Sequence, residues 1–254
     1  MKWLRFLHHG TPTFGVLADE EVAVHHGDPF SGAQATGERV PLEGLEWLAP
    51  CQPGKIIGLW NNFRAAAEKN GWATPAEPLY FLKSPSSALG HGRSIPGPAS
   101  YEGRVAYEGE LAVVIGRRAS AVSVNDAPAL ILGYACANDV TALELLQRDP
   151  SFPQWTRAKS FDGFGAFGPV IETAFDPAGA TLRTLVGGRE RQNYALSDMF
   201  FSPAELVSRI SHDMTLEPGD VILCGTSLGV LPMKPGTTVE VVIEGIGTLA
   251  NNYG

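Results

Sequence analysis

The sequence predicts an α+β fold that is mostly β. Short apolar runs of strand length outnumber helix-like segments, and turns rich in Gly, Pro and Asp separate these runs. Strands and helices do not alternate regularly along the chain, which disfavours a parallel βα architecture. The 254 residues can bury one large core, or a main core with a small appended domain.

The first 50 residues are predicted to form a small N-terminal β domain. Three short strand-like segments lie there, at residues 3–8, 14–17 and 22–24. Prolines and a glycine at 50–54 then end this region. The remainder, residues 51–254, is predicted to be the larger domain and to carry the chemistry.

The larger domain is predicted to contain more strands than helices. Its predicted strands are residues 55–59, 80–82, 107–116, 130–138, 220–224 and 238–244, and its predicted helices are 61–71, 141–148 and 203–211. Gly71 is the predicted stop of the first helix and Ser202 the N-cap of the third. If Asn138 or Asp139 caps the second helix, the positive end of that helix faces the acidic residues nearby.

Two glutamates lie on one face of the predicted strand at 107–116. Side chains alternate along a strand, so Glu108 and Glu110 point the same way, about 7 Å apart by strand rise. Two carboxylates this close repel each other, and a divalent cation removes the conflict. The alternative is the exposed face of an edge strand, but Ala112 and Val114 on the glutamate face indicate an interior position.

A third carboxylate follows in the next apolar strand. Asp139 ends the run at 130–138 and can supply a further oxygen ligand. Three carboxylates without a neighbouring Cys or His suit a hard ion, Mg²⁺ or Mn²⁺, better than zinc. Because Lys and Arg are sparse, those that accompany the acidic residues stand out: Lys83, Arg93, Arg157, Lys159 and Arg191.

Composition excludes several classes of function. The net charge is −8 and no run of Lys or Arg occurs, which argues against nucleic-acid binding and favours small-molecule ligands. No apolar stretch reaches the length of a membrane span or a signal peptide. The three cysteines, Cys51, Cys136 and Cys224, lie far apart and are expected to be buried thiols, so we expect a cytoplasmic protein.

Other catalytic motifs are poorly supported. The segment GTSLG at 225–229 matches a serine nucleophile elbow, but no helix is predicted after it and the last histidine, His212, precedes it. Thr226 in that turn is either a contact for a bound anion or part of an ordinary turn. The histidine pairs at 8–9 and 25–26 are predicted to lie on the surface, each pair pointing to opposite strand faces and therefore not joined in metal binding.

Lys159 is a better candidate for the site. It lies among Gly, Ser and aromatic residues at 157–165, a composition typical of a loop that wraps a small ligand, although an exposed loop lysine is the ordinary alternative. A substrate carboxylate beside a metal ion would need such a cation.

Seven motifs, in order, resemble the fumarylacetoacetate hydrolase superfamily from about Lys55 to the C-terminus. They are GLWNN (58–62), FLKSPSS (81–87), YEGEL (107–111), NDVTA (138–142), KSFD (159–162), LEPGDVI (216–222) and GT (225–226). The resemblance implies a mixed β-sandwich roll, usually a homodimer, whose N-terminal domain resembles the leading domain of some bacterial members. It implies Mg²⁺ or Mn²⁺ bound by Glu108, Glu110 and Asp139. Lys159 and Thr226 match residues that help hold the substrate carboxylate, and Lys159 is also expected to be catalytic. Gln192 matches a further family glutamine and is expected to bind the substrate.

The resemblance also implies an enzyme acting on the 2-oxo acid end of acylpyruvates, oxaloacetate-like acids or aromatic ring-cleavage products. Many members carry a His and a Glu three residues apart in a cap helix. Here Glu68 matches the glutamate while Ala65 takes the histidine position, and Leu143 stands where an Arg is frequent. We therefore expect enolate-based isomerisation or decarboxylation. Hydrolysis of a C–C bond with Glu68 as base, and a non-catalytic module that binds metal and 2-oxo acid, are the alternatives.

Overall fold

The computed structural model describes residues 1–254 and is mostly β. The strands are β1 (Lys2–His8), β2 (Thr11–Ala18), β3 (Glu21–His26), β4 (Gln34–Pro41), β5 (Glu46–Trp47), β6 (Ile56–Trp60), β7 (Leu79–Lys83), β8 (Ala88–Leu89), β9 (Ser94–Ile95), β10 (Val105–Ala106), β11 (Gly109–Ile115), β12 (Ile131–Asp139), β13 (Thr141–Ala142), β14 (Gly165–Glu172), β15 (Thr181–Val186), β16 (Arg189–Ala195), β17 (Val221–Leu223), β18 (Thr237–Ile243) and β19 (Gly247–Tyr253). The α-helices are α1 (Arg64–Asn70), α2 (Leu143–Leu146), α3 (Trp155–Lys159) and α4 (Pro203–Asp213).

One large mixed sheet contains most of these strands. Its order is β4-β3-β2-β1-β14-β12-β11-β17-β6-β7, with β5 added beside β1 and β8 beside β14. Most neighbours are antiparallel, whereas β17 and β6 run parallel. A second sheet, in the order β16-β15-β18-β19-β9, supplies further core residues, and β10 pairs with β13. This mostly β, α+β architecture is the predicted fold class.

The two faces of β11 are both buried, because the strand is central in the large sheet. Leu111 and Val113 belong to a core that includes Val241 and Leu249 of the second sheet. Ala112 and Val114 belong to a separate core on the opposite face. The glutamate face of this strand is therefore interior, as the sequence predicted, and a carboxylate there needs partners.

The N-terminal strands extend the same large sheet. β1 pairs with β14 through Lys2 opposite Glu172 and Trp3 opposite Ile171. Leu4 and Phe6 of β1 lie in the core that β11 shares with the second sheet. The predicted boundary near residue 50 stays a prediction.

Two predicted local structures differ from those observed. The predicted helix 141–148 is reduced to the four-residue α2, preceded by β13, and Ala142 rather than Asn138 or Asp139 occupies its N-cap. Pairing of β13 with β10 holds the chain extended past Asp139, so α2 does not begin at Asn138 or Asp139 as predicted. Lys159 ends the short helix α3 instead of lying in a loop.

Two predicted helix ends are confirmed. Gly71 closes α1 in the left-handed conformation, with φ +67°. Ser202 caps α4 within a capping box that includes Glu205. No helix is both long and apolar enough to cross a membrane.

Candidate active site

Three carboxylates meet where β11 and β12 run side by side. The register places Gly109 opposite Asn138, so Glu108, Glu110 and Asp139 come to the same end of this strand pair. The backbone N–H of Asp139 donates to the carbonyl of Glu108 over 2.8 Å, which fixes the two residues together. Carboxylate oxygens of the three residues lie within 4.8 Å of one another. Asp139 and Glu110 are fully buried and Glu108 is mostly buried.

Glu110 is the least compensated of the three. One carboxylate oxygen, Oε2, accepts a hydrogen bond from the backbone N–H of Gly225 over 2.7 Å. The other, Oε1, is buried and has no hydrogen-bond partner. Burial raises the pKa of Glu110 well above its usual value, and the charges of Asp139 and Glu108 raise it further. An oxygen in this state needs a proton or a cation.

Two lysines neutralise part of the acidic cluster. Lys159 Nζ donates to Asp139 Oδ2 over 2.6 Å and to Glu108 Oε2 over 2.9 Å. Lys83 Nζ donates to Asp139 Oδ1 over 2.5 Å. Three ionised carboxylates and two ammonium groups sum to a net charge of −1, located where water is largely excluded.

The pKa directions follow from this packing. Burial alone would raise the pKa of Asp139, but the charges of Lys159 and Lys83 outweigh it and the net shift is downward. Burial would lower the pKa of Lys159, but Asp139, Glu108 and Glu110 reverse this and raise it. For Lys83 burial prevails over the attraction of Asp139, and its pKa is lowered.

The donor set fits a hard divalent cation. The three side chains offer only oxygen atoms, which Mg²⁺ and Mn²⁺ prefer. The unpartnered Oε1 of Glu110 and the residual negative charge are the features that a cation would satisfy. The residues predicted from sequence as metal ligands are thus brought together, although their role in binding stays a prediction.

Thr226 and Gln192 also reach this region, but in different ways. Thr226 lines the adjacent cavity, and its backbone N–H has no acceptor within the protein. Gln192 is buried and does not line the cavity. Its amide accepts from the N–H of Gly109 over 2.9 Å and donates to Thr226 Oγ1 over 2.8 Å. In this structure Gln192 positions Thr226, and its predicted contact with substrate stays a prediction.

Glu68 does not line the cavity, so the structure gives no support to its predicted role as a base. Glu68 is exposed and lies outside the cavity lining, whereas Ala66, Lys69 and Asn70 of the same helix line it. Residues three and four apart share a helix face, so Ala66, Lys69 and Asn70 lie on the cavity face of α1, whereas Glu68 lies on its solvent face. Ala65 also points away from the cavity, and its backbone N–H donates to Asp198. The cap helix therefore presents Lys69 as its only titratable group at the cavity.

The cavity beside the carboxylates measures about 580 Å³, within the usual size range for a small-molecule site. Glu108, Thr141 and Lys159 line its polar part. Asn61 Oδ1 and Ser227 Oγ belong to lining residues and are buried without hydrogen-bond partners. Both are therefore unsatisfied polar atoms at the cavity.

Several site residues were not found by sequence reasoning. Thr141 donates to Glu108 Oε1 over 2.6 Å, and Asn138 Oδ1 accepts from the N–H of Glu108 over 2.9 Å. Four aromatic side chains and Lys69 also line the cavity, and sequence reasoning gave none of them a role there. The aromatic residues are Trp60, Trp72, Phe81 and Trp155. Lys83 was distinguished by the rarity of cations and by its place in the FLKSPSS segment, without an assigned role. Of the other cations singled out, Lys159 lies at the site. Arg93, Arg157 and Arg191 do not line the cavity, and Arg93 pairs with Glu46.

The alternative motifs have ordinary structural explanations, with one correction. No helix follows GTSLG, and all three cysteines are buried and unpaired, as predicted. The prediction that His8 and His9 point apart is wrong. β1 ends at His8, and His9 turns with φ +49°, so the two rings lie 4.2 Å apart.

Comparison with known proteins gives consistent matches. The model of the fumarylacetoacetate (FAA) hydrolase C-terminal family matches residues 55–253, and the Rv2993c-like N-terminal family matches residues 1–50. Oxaloacetate tautomerase YisK of Bacillus subtilis is 37% identical over 80% of this chain and 71% of its own length.

Solved structures agree along the whole chain. A 5-carboxymethyl-2-hydroxymuconate delta-isomerase from Mycobacterium smegmatis is 36% identical, with a TM-score of 0.91 and coverage of 100% of this chain and 99% of that one. Maleylpyruvate hydrolase from Sphingobium sp. SYK-6, in complex with manganese(II) and pyruvate, is 27% identical, with a TM-score of 0.81 and coverage of 100% and 98%. The chain therefore belongs to the fumarylacetoacetate hydrolase superfamily.

Proposed function

We propose that this protein is a divalent-metal-dependent enzyme that binds the 2-oxo acid end of a small carboxylate and promotes enolate-based isomerisation or decarboxylation. The observation that carries this proposal is the buried cluster of Glu108, Glu110 and Asp139 beside a cavity, with one oxygen unpartnered. The named activities of the tautomerase and the isomerase support the same chemistry, as do the manganese and pyruvate of the hydrolase complex.

The acidic cluster and the polar groups next to it each have a place in this chemistry. A Mg²⁺ or Mn²⁺ ion held by the three carboxylates would act as a Lewis acid toward the 1-carboxylate and the 2-oxo group of the substrate. Lys159, beside Glu108, adds positive charge that attracts the substrate carboxylate. The free N–H of Thr226 donates to the same carboxylate, and Gln192 holds that turn in place.

The position of titratable groups favours isomerisation or decarboxylation over hydrolysis. Hydrolysis needs a base that activates water, and the cap helix brings neither a histidine nor Glu68 to the cavity. Proton transfer at the carbon next to the 2-oxo group needs only one proton carrier. Lys69, on the cavity face of α1, is assigned that role.

Hydrolysis of a C–C bond remains the second candidate, because the chain is similar over its whole length to a maleylpyruvate hydrolase. A non-catalytic module that binds metal and 2-oxo acid is the third. Hydrolysis differs from isomerisation and decarboxylation in its products, and a binding module forms no product.

The test is a panel of three substrates, each with Mg²⁺ and with Mn²⁺. The enol form of oxaloacetate reports isomerisation by loss of ultraviolet absorbance, the keto form reports decarboxylation by pyruvate release, and an acylpyruvate reports hydrolysis. We expect metal-dependent turnover of one of the first two, lost with a chelator and in the Glu110→Gln variant. Turnover of the acylpyruvate alone would support hydrolysis. Thermal stabilisation by oxalate without any turnover would identify a binding module.

Two further expectations belong to this proposal. The unpaired, buried cysteines support a reducing compartment, and we place the protein in the cytoplasm. The resemblance implies a homodimer, and exposed apolar side chains such as Phe152, which is 69% exposed, are compatible with one. Light scattering on the purified protein decides the oligomeric state.

A further inference from the structure

A row of four aromatic side chains leads away from the acidic cluster along one wall of the cavity. Lys159 Nζ lies 5.1 Å from the ring centroid of Phe81. Phe81 stacks on Trp155 at 5.1 Å between centroids, Trp155 lies 6.1 Å from Trp60, and Trp60 lies 5.0 Å from Trp72. Trp72 is 40% exposed, so this aromatic row runs from the buried carboxylates to the surface.

The aromatic row is held in place by the backbone around it. Phe81 packs directly on Gly58, where an added Cβ would lie 2.4 Å from the ring. Trp72 follows the helix-ending Gly71, and its N–H donates to the carbonyl of Ala67 over 2.9 Å. The wall is therefore preorganised, which reduces the entropy lost when a ligand binds.

The remainder of the cavity offers little to a second negative charge. Its charged lining residues are Lys69, Glu108 and Lys159, and Lys159 is already engaged by two carboxylates. Lys69 is exposed, and an exposed lysine contributes little to holding a carboxylate. No arginine lines the cavity, and the other apolar lining residues include Leu143, Leu146, Leu228 and Val230.

We propose that the end of the substrate distant from the 2-oxo acid head and the reacting carbon is an apolar or aromatic tail, rather than a further carboxylate, and that this tail binds along the aromatic row. This rests on the proposed function, which places the 2-oxo acid head at the acidic cluster. A phenyl-sized tail would exchange water for offset or edge contacts with indole rings, which add to the burial of apolar surface. Trp60, Trp72 and Trp155 are thus the residues that determine specificity.

Three 2-oxo acids test the proposal in the presence of Mn²⁺: pyruvate as the head alone, 2-oxo-4-phenylbutanoate with an aromatic tail, and 2-oxoadipate with a carboxylate tail. Dissociation constants are measured by calorimetry and by quenching of tryptophan fluorescence. We expect 2-oxo-4-phenylbutanoate to bind at least about tenfold more tightly than pyruvate, and 2-oxoadipate to gain no more than about twofold.

Variants assign the effect to the aromatic row. Trp72→Ala and Trp60→Ala should each reduce the advantage of the phenyl tail severalfold while leaving pyruvate affinity unchanged. Trp47→Leu, outside the cavity, is the matched control and should change neither affinity. Leu146→Arg should improve 2-oxoadipate binding, because it supplies a cation to the apolar wall.

The outcomes distinguish the inference about the substrate tail from the proposal that the 2-oxo acid head binds at the acidic cluster. Pyruvate binding without a gain for the phenyl compound, or tighter binding of 2-oxoadipate, overturns this inference alone. An advantage of the phenyl tail that survives both tryptophan variants also overturns it. If none of the three acids binds at about 10 mM with Mn²⁺, the proposed function fails together with the inference.

Discussion

Replacing Glu110 with glutamine should remove most of the stabilisation that Mg²⁺ or Mn²⁺ gives the protein. The carboxylate oxygens of the three residues lie within 4.8 Å of one another, so 4.8 Å serves as an upper limit for the distance from Glu110 to a cation held among them. At that distance, with an effective dielectric constant of about 20, two unit charges attract by about 3 kcal/mol. Loss of one carboxylate charge therefore weakens cation binding by about a hundredfold. At a metal concentration about 100 times the dissociation constant, the unmodified protein gains about 2.7 kcal/mol and the variant about 0.4 kcal/mol.

The assay is thermal unfolding with and without metal. For a chain of this size each kcal/mol shifts Tm by about 2–4 °C, so we expect a rise of about 5–10 °C for the unmodified protein and about 1 °C for Glu110→Gln. The control is Glu43→Gln, which changes an exposed glutamate distant from Glu110 in the sequence and should keep the full shift in Tm. An undiminished shift in Glu110→Gln would refute the assignment of Glu110 as a ligand.

Three further outcomes are expected. Without metal, Glu110→Gln should be at least as stable as the unmodified protein near neutral pH. The pKa of Glu110 is raised in the folded state, so the contribution of Glu110 to stability is present at low pH and is lost as pH rises through that pKa. A Glu110→Gln variant that becomes less stable than the unmodified protein as pH rises toward neutral would contradict this, as measured by denaturant unfolding across pH. Lys69→Ala should lower kcat at least about tenfold while Glu68→Gln, its neighbour on the solvent side, keeps normal activity, and equal effects would count against the proton-carrier role. Ser202→Ala removes the capping box of α4 and should cost about 1 kcal/mol, or about 2–4 °C in Tm, with unchanged kcat.

The alternation of side chains along a strand and the capping of helices could be predicted from the sequence, because both depend on only a few neighbouring residues. The interior placement of Glu110 followed from Ala112 and Val114 on the same strand face, because side-chain direction in a strand is fixed by the backbone. Gly71 and Ser202 marked helix ends for similar local reasons. The order of motifs pointed to the superfamily that the comparisons establish.

The sequence by itself determined the fold class, the buried strand that carries the glutamates, and the oxygen-rich character of the candidate metal site. Only the tertiary structure decided which side chains surround that site. Lys83 reaches Asp139 from β7, although β11, β17 and β6 separate β7 from β12 in the large sheet. Glu68 faces solvent because its place in the turn of α1 directs its side chain away from the cavity. The position of α1 depends in turn on distant segments, such as the one with Asp198, which accepts from the N–H of Ala65. The aromatic row joins residues 60, 72, 81 and 155, and no local pattern records such a contact, because the chain has to fold before these residues become neighbours.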